Sequence, residues 1–221
     1  MMLTLYAHPF SSYCWKVLIA LWENEIDFTY KSLADPENGA TLAKLWPIGK
    51  MPILLDGDTL VVETSIIIEH LQIHHGGPVR LIPDAPEDAL TVRKLDRLSD
   101  NYLMTILNTI VGDRIRPEAE RDIGGVEKAR ASLDTALAWW DGHIRAQQAS
   151  GLDYAWKTFT LADCAAAPAL FYVDWVQPFA DTYPALHAYR RRLLDRPSVA
   201  RAVDEARPFR NLFPFGDPGR D

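Results

Sequence analysis

The sequence predicts an α/β unit over residues 1–76 joined to an all-helical unit over residues 88–221, and three observations predict it. Strand-like and helix-like apolar spacings alternate over roughly the first third of the chain, as in a small α/β unit. The next stretch, Gly76-Gly77-Pro78-Val79-Arg80-Leu81-Ile82-Pro83-Asp84-Ala85-Pro86, is rich in Gly and Pro and reads as a linker over 77–87. Beyond it strand signals fade, and apolar residues recur at helical spacing to the end of the chain.

The elements follow in order. In Met2–Ala7, Leu3, Leu5 and Ala7 alternate as one face of a strand. Cys14, Val17, Leu18 and Leu21 then fall at i, i+3, i+4 and i+7, which predicts an amphipathic helix from about Ser12 to Asn24. Phe28 and Tyr30 alternate with Asp27, Thr29 and Lys31 in a second strand, Ile26 to Leu33. A polar connection with Pro36 and Gly39 passes through a short helical piece near Thr41–Leu45. Pro52–Leu55 and Thr59–Val62 flank Asp56-Gly57-Asp58, a strong hairpin signal. A helix from about Thr64 to His74 follows, its packed face expected at Ile66, Ile67 and Leu71.

After the linker, Ala89–Val111 and Val126–Ala149 are long amphipathic stretches. Thr160-Leu161-Ala162-Asp163 opens a third helix with an acidic variant of the capping box. Tyr183–Leu194 and Ser198–Ala206 complete a bundle of about five helices.

Composition excludes several function classes. Of the 221 residues, 48% are hydrophobic and 24% charged, which is ordinary for a globular protein. A formal net charge of −7 argues against nucleic acid and anionic membranes as partners. Apolar runs such as Leu18–Trp22 are far shorter than the ~20 residues a membrane span needs. The opening Met1-Met2-Leu3-Thr4-Leu5-Tyr6 has no basic stretch and predicts no signal peptide. Two cysteines, Cys14 and Cys164, are too few for a disulfide framework, so a reducing, cytoplasmic compartment is expected. No metal site is expected: His74 and His75 are adjacent, and neighbours on a helix diverge by about 100°.

Pro9-Phe10-Ser11-Ser12-Tyr13-Cys14-Trp15-Lys16-Val17 carries the chemistry. Two hydroxyls and a thiol lie where a strand meets a helix N-terminus, whose free N–H groups and dipole favour an anion such as a thiolate. Ser11 stands three residues before Cys14, where a C-x-x-C redox motif carries its first cysteine, so a hydroxyl replaces disulfide exchange. A thiol's pKa is ~8.5, and lowering it by ~2 units takes about 2.7 kcal/mol, within reach of a hydroxyl bond and a dipole together. Cys14 could itself form a mixed disulfide, although its place on the apolar stripe also suits a buried small hydrophobe.

Ser11–Leu21 resembles the S-S-C-x-W-R-V-R-I-A-L start of zeta-class glutathione S-transferases and the S-x-P-C start of delta-class members. Gly49-Lys50-Met51-Pro52-Ile53-Leu54 resembles the family's G-[KQ]-V-P-x-L segment, and Glu63-Thr64-Ser65 its E-S-x-A-I junction. Thr160–Asp163 resembles its [ST]-x-A-D helix start. The resemblance implies a thioredoxin-like N-terminal domain, an all-α C-terminal bundle, glutathione as co-substrate, no metal and a homodimer formed through the first bundle helices. It implies a serine-type detoxification transferase in which Ser11, with Ser12 as a supporting or alternative donor, activates the glutathione thiol for attack on a small, largely apolar electrophile.

Further roles come from the same resemblance. A cis Met51–Pro52 peptide would offer the Met51 backbone to the cysteinyl part, Lys50 would reach the glycyl carboxylate, and Glu63 and Thr64 would hold the γ-glutamyl end. The second-substrate pocket is expected at Tyr102, Ile106 and Trp175, with Leu103 and Phe179 near them, on the separate ground that these residues lie on bundle helices or at their ends. Asp100 resembles an acidic position that reaches the partner subunit's glutathione, and Asp163 one used for folding. Two departures stand out. Trp46 replaces the usual Asn of L-N-P, and Trp175 stands where the zeta class has a basic residue, which argues against a maleylacetoacetate-type isomerase. Two other expectations remain open: a thiol transferase or peroxidase using Cys14, and a non-catalytic glutathione- or ligand-binding scaffold.

Overall fold

The computed structural model describes residues 2–221. The N-terminal part runs β1 (Leu3–Ala7), α1 (Ser12–Glu23), β2 (Phe28–Ser32), α2 (Pro36–Leu45), β3 (Ile53–Asp56), β4 (Thr59–Val61) and α3 (Thr64–His74). Its sheet has the order β2-β1-β3-β4, with β1 and β2 parallel and the other pairings antiparallel. The helical part runs α4 (Pro86–Leu98), a π-helical segment (Ser99–Met104), α5 (Thr105–Ile115), α6 (Ile123–Ala149), α7 (Leu161–Val176), α8 (Pro184–Leu194) and α9 (Pro197–Ala206). This is a thioredoxin-like domain followed by a helical domain.

Several elements differ from expectation for local reasons. β2 is shorter because the Ile26 N–H closes a turn onto Leu21 O instead of entering the sheet. α2 starts at Pro36, where the Asp35 side chain accepts the Glu37 N–H at 2.9 Å; an Asp N-cap followed by Pro at the first position is a start signal that Gly39 obscures. The packed face of α3 is Ile67, Ile68 and Leu71, and Ile66 is exposed. α4 opens at Pro86, within the segment read as linker.

α1 is the larger correction. It is buried along its whole length from Cys14 to Leu21, Trp15, Lys16, Ile19 and Ala20 included, so it is a central helix and not an amphipathic cover. It meets α3, α9 and, most extensively, α7, where Trp15 lies 4.9 Å (ring centroids) from Phe171 and 5.5 Å from Tyr172. Lys16 is 1% exposed. Its ammonium lies 2.5 Å from Asp96 and 2.8 Å from Asp100, and donates to Ser65 Oγ at 3.0 Å. At the far end of α1, Glu23 pairs with Arg196 (2.7 Å) and accepts from Ser198.

α7 is the matching core helix of the bundle, with every residue from Leu161 to Val176 buried. Asp163, fully buried, accepts from Thr160 N (2.8 Å), Ala155 N (3.0 Å) and the Tyr189 hydroxyl (2.6 Å), which closes the expected capping box. Burial pushes its carboxyl pKa up, and these bonds oppose the shift.

Lys16→Met would leave the Asp96 and Asp100 carboxylates without their shared buried cation. The expected cost is about 3–5 kcal/mol in urea unfolding. A loss below about 1 kcal/mol, the range of an exposed pair, would remove Lys16 from this role.

Candidate functional site

The start of α1, the start of α3 and the π-helical segment converge on one cleft. β1 ends at Ala7, and the chain turns through His8–Phe10, pinned by Trp15 Nε1 donating to Pro9 O (2.5 Å) and the Tyr172 hydroxyl donating to Phe10 O (2.8 Å). Ser11 then caps α1, its hydroxyl oxygen accepting the Cys14 N–H at 3.4 Å. On the facing side, the Met51–Pro52 peptide is cis, and the β1–β3 ladder ends at Ile53, so Met51 lies outside it. Glu63, just before α3, has φ +69°, a left-handed conformation that costs a non-glycine residue about 1–3 kcal/mol.

The cleft between them holds about 330 Å³. Lys50, Met51, Pro52, Glu63 and Thr64 line one wall, with Trp46 at its edge. The other wall is Tyr13 with Arg97, Asp100, Asn101, Thr105 and Asn108 from the α4–α5 region. Both signs of charge are present, Lys50 and Arg97 against Glu63 and Asp100, and Arg97 pairs with Asp100. Burial raises the Asp100 pKa, Lys16 lowers it and Asp96 raises it further. Burial and then Asp100 also raise the Tyr13 pKa, against a hydrogen bond with Thr105, so Tyr13 is a neutral hydroxyl at physiological pH.

A second cavity of about 360 Å³ adjoins the first. Ser11, Ser12 and Phe10 line one side, and Met104, Leu107, Val111, Tyr172 and Phe213 supply an apolar wall. Tyr13 and Asn108 line both cavities and so mark the passage between them. The C-terminal tail forms part of this wall: Leu212, Phe213 and Pro214 line the cavity, and Arg220 pairs with Asp174 to hold the tail on α7.

The residues expected for a second-substrate pocket are elsewhere. Tyr102 points into a groove between α4 and α6, beside Leu98, Trp139 and Trp140. Ile106 packs against the core and lines neither cavity. Trp175 is buried behind the wall, its ring 5.1 Å from Phe213 and 6.2 Å from Phe10, with Arg210 over its face. Leu103 and Phe179 are core. For Tyr102 and Ile106 the backbone is irregular where they lie: the Thr105 N–H bonds Asp100 O, five residues back, so a π turn interrupts the regular helix on which they were expected. Arg97, Asn101, Thr105 and Asn108, spaced four, four and three apart, were visible in the sequence as a polar helix face and were missed. Tyr13, which lines both cavities, is not among the residues the sequence singles out.

Cys14 is fully buried. It accepts a bond from His8 N–H at 3.4 Å, and burial pushes its thiol up to about 11, only partly opposed by Ser11. Cys164 is equally buried.

A thioredoxin-like sheet bearing a cis-proline, followed by an all-helical domain with a polar cleft and an adjoining apolar cavity, defines a two-domain protein of the thioredoxin-plus-bundle class. The model of the glutathione S-transferase N-terminal domain matches residues 5–79, and that of the C-terminal domain residues 119–192. The chain belongs to the glutathione S-transferase superfamily. Glutathione S-transferase A of Pleuronectes platessa is 28% identical over 192 residues, 84% of each chain. A glutathione S-transferase of Methylobacillus flagellatus, solved with glutathione bound, superposes with TM-score 0.80 at 25% identity, covering 90% of this chain and 98% of its own. One from Methylobacterium radiotolerans, in complex with glutathione sulfonate, gives 0.79 at 27% identity, covering 92% and 95%.

With its neutral, buried thiols, the native chain is expected to resist thiol-specific reagents at neutral pH and to release both cysteines in denaturant. Colorimetric thiol titration checks this, and rapid labelling of Cys14 in the folded chain would overturn it.

Proposed function

We propose that this protein is a glutathione transferase that ionises the glutathione thiol and directs it at a small, largely apolar electrophile. One observation carries the reading: a polar cleft with paired charges opens, at Tyr13 and Asn108, into an apolar cavity bearing the Ser11 and Ser12 hydroxyls.

Glutathione carries an ammonium, two carboxylates and a thiol, and the cleft's residues suit them in turn. Glu63 pairs with the α-ammonium, and Thr64 at the start of α3 offers a hydroxyl and N–H groups to the neighbouring carboxylate. The Met51 backbone pairs with the cysteinyl main chain. Lys50 meets the glycyl carboxylate, with Arg97 as a second cation in the cleft. The thiol then lies at the passage, where Ser11 and Ser12 at the α1 N-terminus and Tyr13 beside them can donate to a thiolate. The nucleophile is the substrate's own sulfur, so no covalent enzyme intermediate is needed.

The buried, high-pKa Cys14 favours this over a thiol transferase. Two buried free thiols suit a reducing, cytoplasmic setting. We place a homodimer contact on the α4–α6 face, where Leu98, Tyr102 and Trp139 leave an apolar groove; Tyr102 and Trp139 are exposed there.

Calorimetric titration of glutathione at neutral pH, in buffers of different ionisation enthalpy, tests the central claim. Proton release on binding is expected, and binding without it would leave a scaffold as the better reading. With chlorodinitrobenzene as electrophile, removing the activating hydroxyl is expected to lower kcat/KM about 100-fold. Comparing Ser11→Ala, Ser12→Ala and Tyr13→Phe identifies which hydroxyl it is, and three unchanged rates would sink hydroxyl activation. Lys50→Ala is expected to raise KM for glutathione with kcat unchanged, the mark of lost ground-state binding.

A further inference from the structure

β3 and α3 both start at the cleft, at Pro52 and Thr64, and run away from it. Their far ends meet at the opposite edge of the sheet domain, roughly 15 Å from Thr64 by the rise of the helix. There, Asp56 closes β3, His70 lies on the last turns of α3, and His75 follows the helix end. His70 Nε2 is 2.9 Å and His75 Nε2 2.8 Å from the same oxygen, Asp56 Oδ2. One ligand atom from each residue lies within 4.8 Å of the others, and this is the one such cluster among the described residues.

We propose that Asp56, His70 and His75 bind a divalent transition-metal ion of the zinc type, at a site separate from the cleft and independent of the function proposed above. The donor set is two imidazole nitrogens and a carboxylate oxygen, which suits Zn²⁺, Co²⁺ or Ni²⁺; Ca²⁺ and Mg²⁺ prefer all-oxygen shells. Ligands about 2.0–2.1 Å from a tetrahedral Zn²⁺ are roughly 3.3 Å apart, so the two N···O separations need to open by only about half an ångström.

The second observation is Asp56 Oδ1, a buried oxygen with no hydrogen-bond partner among the described residues. A buried carboxylate oxygen is rarely left so, because losing water without a replacement partner is costly. A cation beside Oδ2 lies within reach of Oδ1 as well and removes that cost. The three side chains are 12% (Asp56), 17% (His70) and 22% (His75) exposed, enough enclosure to hold the rings and enough access for water to complete the shell. The His74 ring lies tilted beside that of His70, 4.4 Å between ring centroids. No thiolate competes, since Cys14 and Cys164 are buried in the core.

The expectation that the His74-His75 pair holds no metal concerned the wrong pair. The partner of His75 is His70, five residues back, and β3 brings the carboxylate. A bound ion would pin the end of α3 to the end of β3.

Calorimetric titration of tag-free, chelator-treated chain with Zn²⁺ tests the proposal, with the visible spectrum of Co²⁺ reporting geometry. We expect one Zn²⁺ per chain and a Co²⁺ spectrum of four- or five-coordinate type. Asp56→Asn and His75→Gln are each expected to lose at least about tenfold in affinity, with far-UV circular dichroism unchanged. Zn²⁺ is expected to raise the thermal midpoint of the wild-type chain and not that of His75→Gln. Absence of Zn²⁺ binding, or affinity unchanged in both variants, would overturn the site. Glutathione titrations read the cleft separately, so failure of one does not imply failure of the other.

Discussion

The buried ammonium of Lys16 is the constraint around which the two domains are arranged. A lysine is almost never fully buried unless paired, because the desolvation of its charge outweighs what packing returns. Lys16 lies in the middle of a helix that is apolar on every other side, so its partners must come from outside the α/β unit. They do: Asp96 from the end of α4 and Asp100 from the π-helical segment, with Ser65 of α3 joining both sides by donating to Asp96 at 2.7 Å. Satisfying one charge therefore fixes the distance between α1 and the α4–α5 region. The cleft is the space left above that contact, and Asp100 belongs to both.

Irregular backbone gathers around this contact. Asp100 reaches Lys16 while Arg97, Asn101 and Thr105 line the cleft, and the segment carrying Asp100 and Asn101 is the π-helical one. Across the cleft, Glu63 holds a left-handed conformation at the entry to α3, and Glu63 and Thr64 both line the cleft. By contrast, the bundle core around Asp163 is regular: its carboxylate is occupied by backbone and hydroxyl donors, and it stands away from both cavities.

The legibility of the sequence follows the same division. The element order, the hairpin at Asp56-Gly57-Asp58 and the Thr160–Asp163 cap were readable because each depends on residues adjacent in sequence. Lys50, Met51, Pro52, Glu63 and Thr64 were readable as a group for the same reason, each belonging to a short motif, and the cleft gathers all five. What failed depended on packing between distant segments. The amphipathic pattern of α1 hid its burial, since one lysine and one tryptophan look like an exposed face until their partners at Asp96, Asp100 and Phe171 are known. Tyr102 and Ile106 were assigned by continuing a regular helix through Ser99–Met104, where no strong sequence signal marks a π turn. The Asp56–His70–His75 cluster was invisible for a similar reason, because β3 and α3 converge only in the folded sheet.

The two cavities differ in kind, and this decides how much each reveals about its ligand. The polar cleft offers charges of both signs, a backbone edge and a helix N-terminus, which under the proposed function would select a zwitterionic peptide. The apolar cavity offers volume and contact area. Its wall of Met104, Leu107, Val111, Tyr172 and Phe213 has no buried cation or carboxylate to demand a particular partner. A missing or extra methylene in such a pocket is worth only about 1–3 kcal/mol, so a wall of this type selects by size and tolerates variety. Part of that wall is a tail held by ion pairs, Arg220 with Asp174 and Arg207 and Arg210 with Asp221, and by Phe213, which is buried against Trp175. The Arg207–Asp221 pair is exposed and weakens with salt, whereas the Asp174 carboxylate is buried. The two cavities are thus unlike halves of one site, a charged cleft and an apolar cavity closed by the tail, and Tyr13 and Asn108 line both.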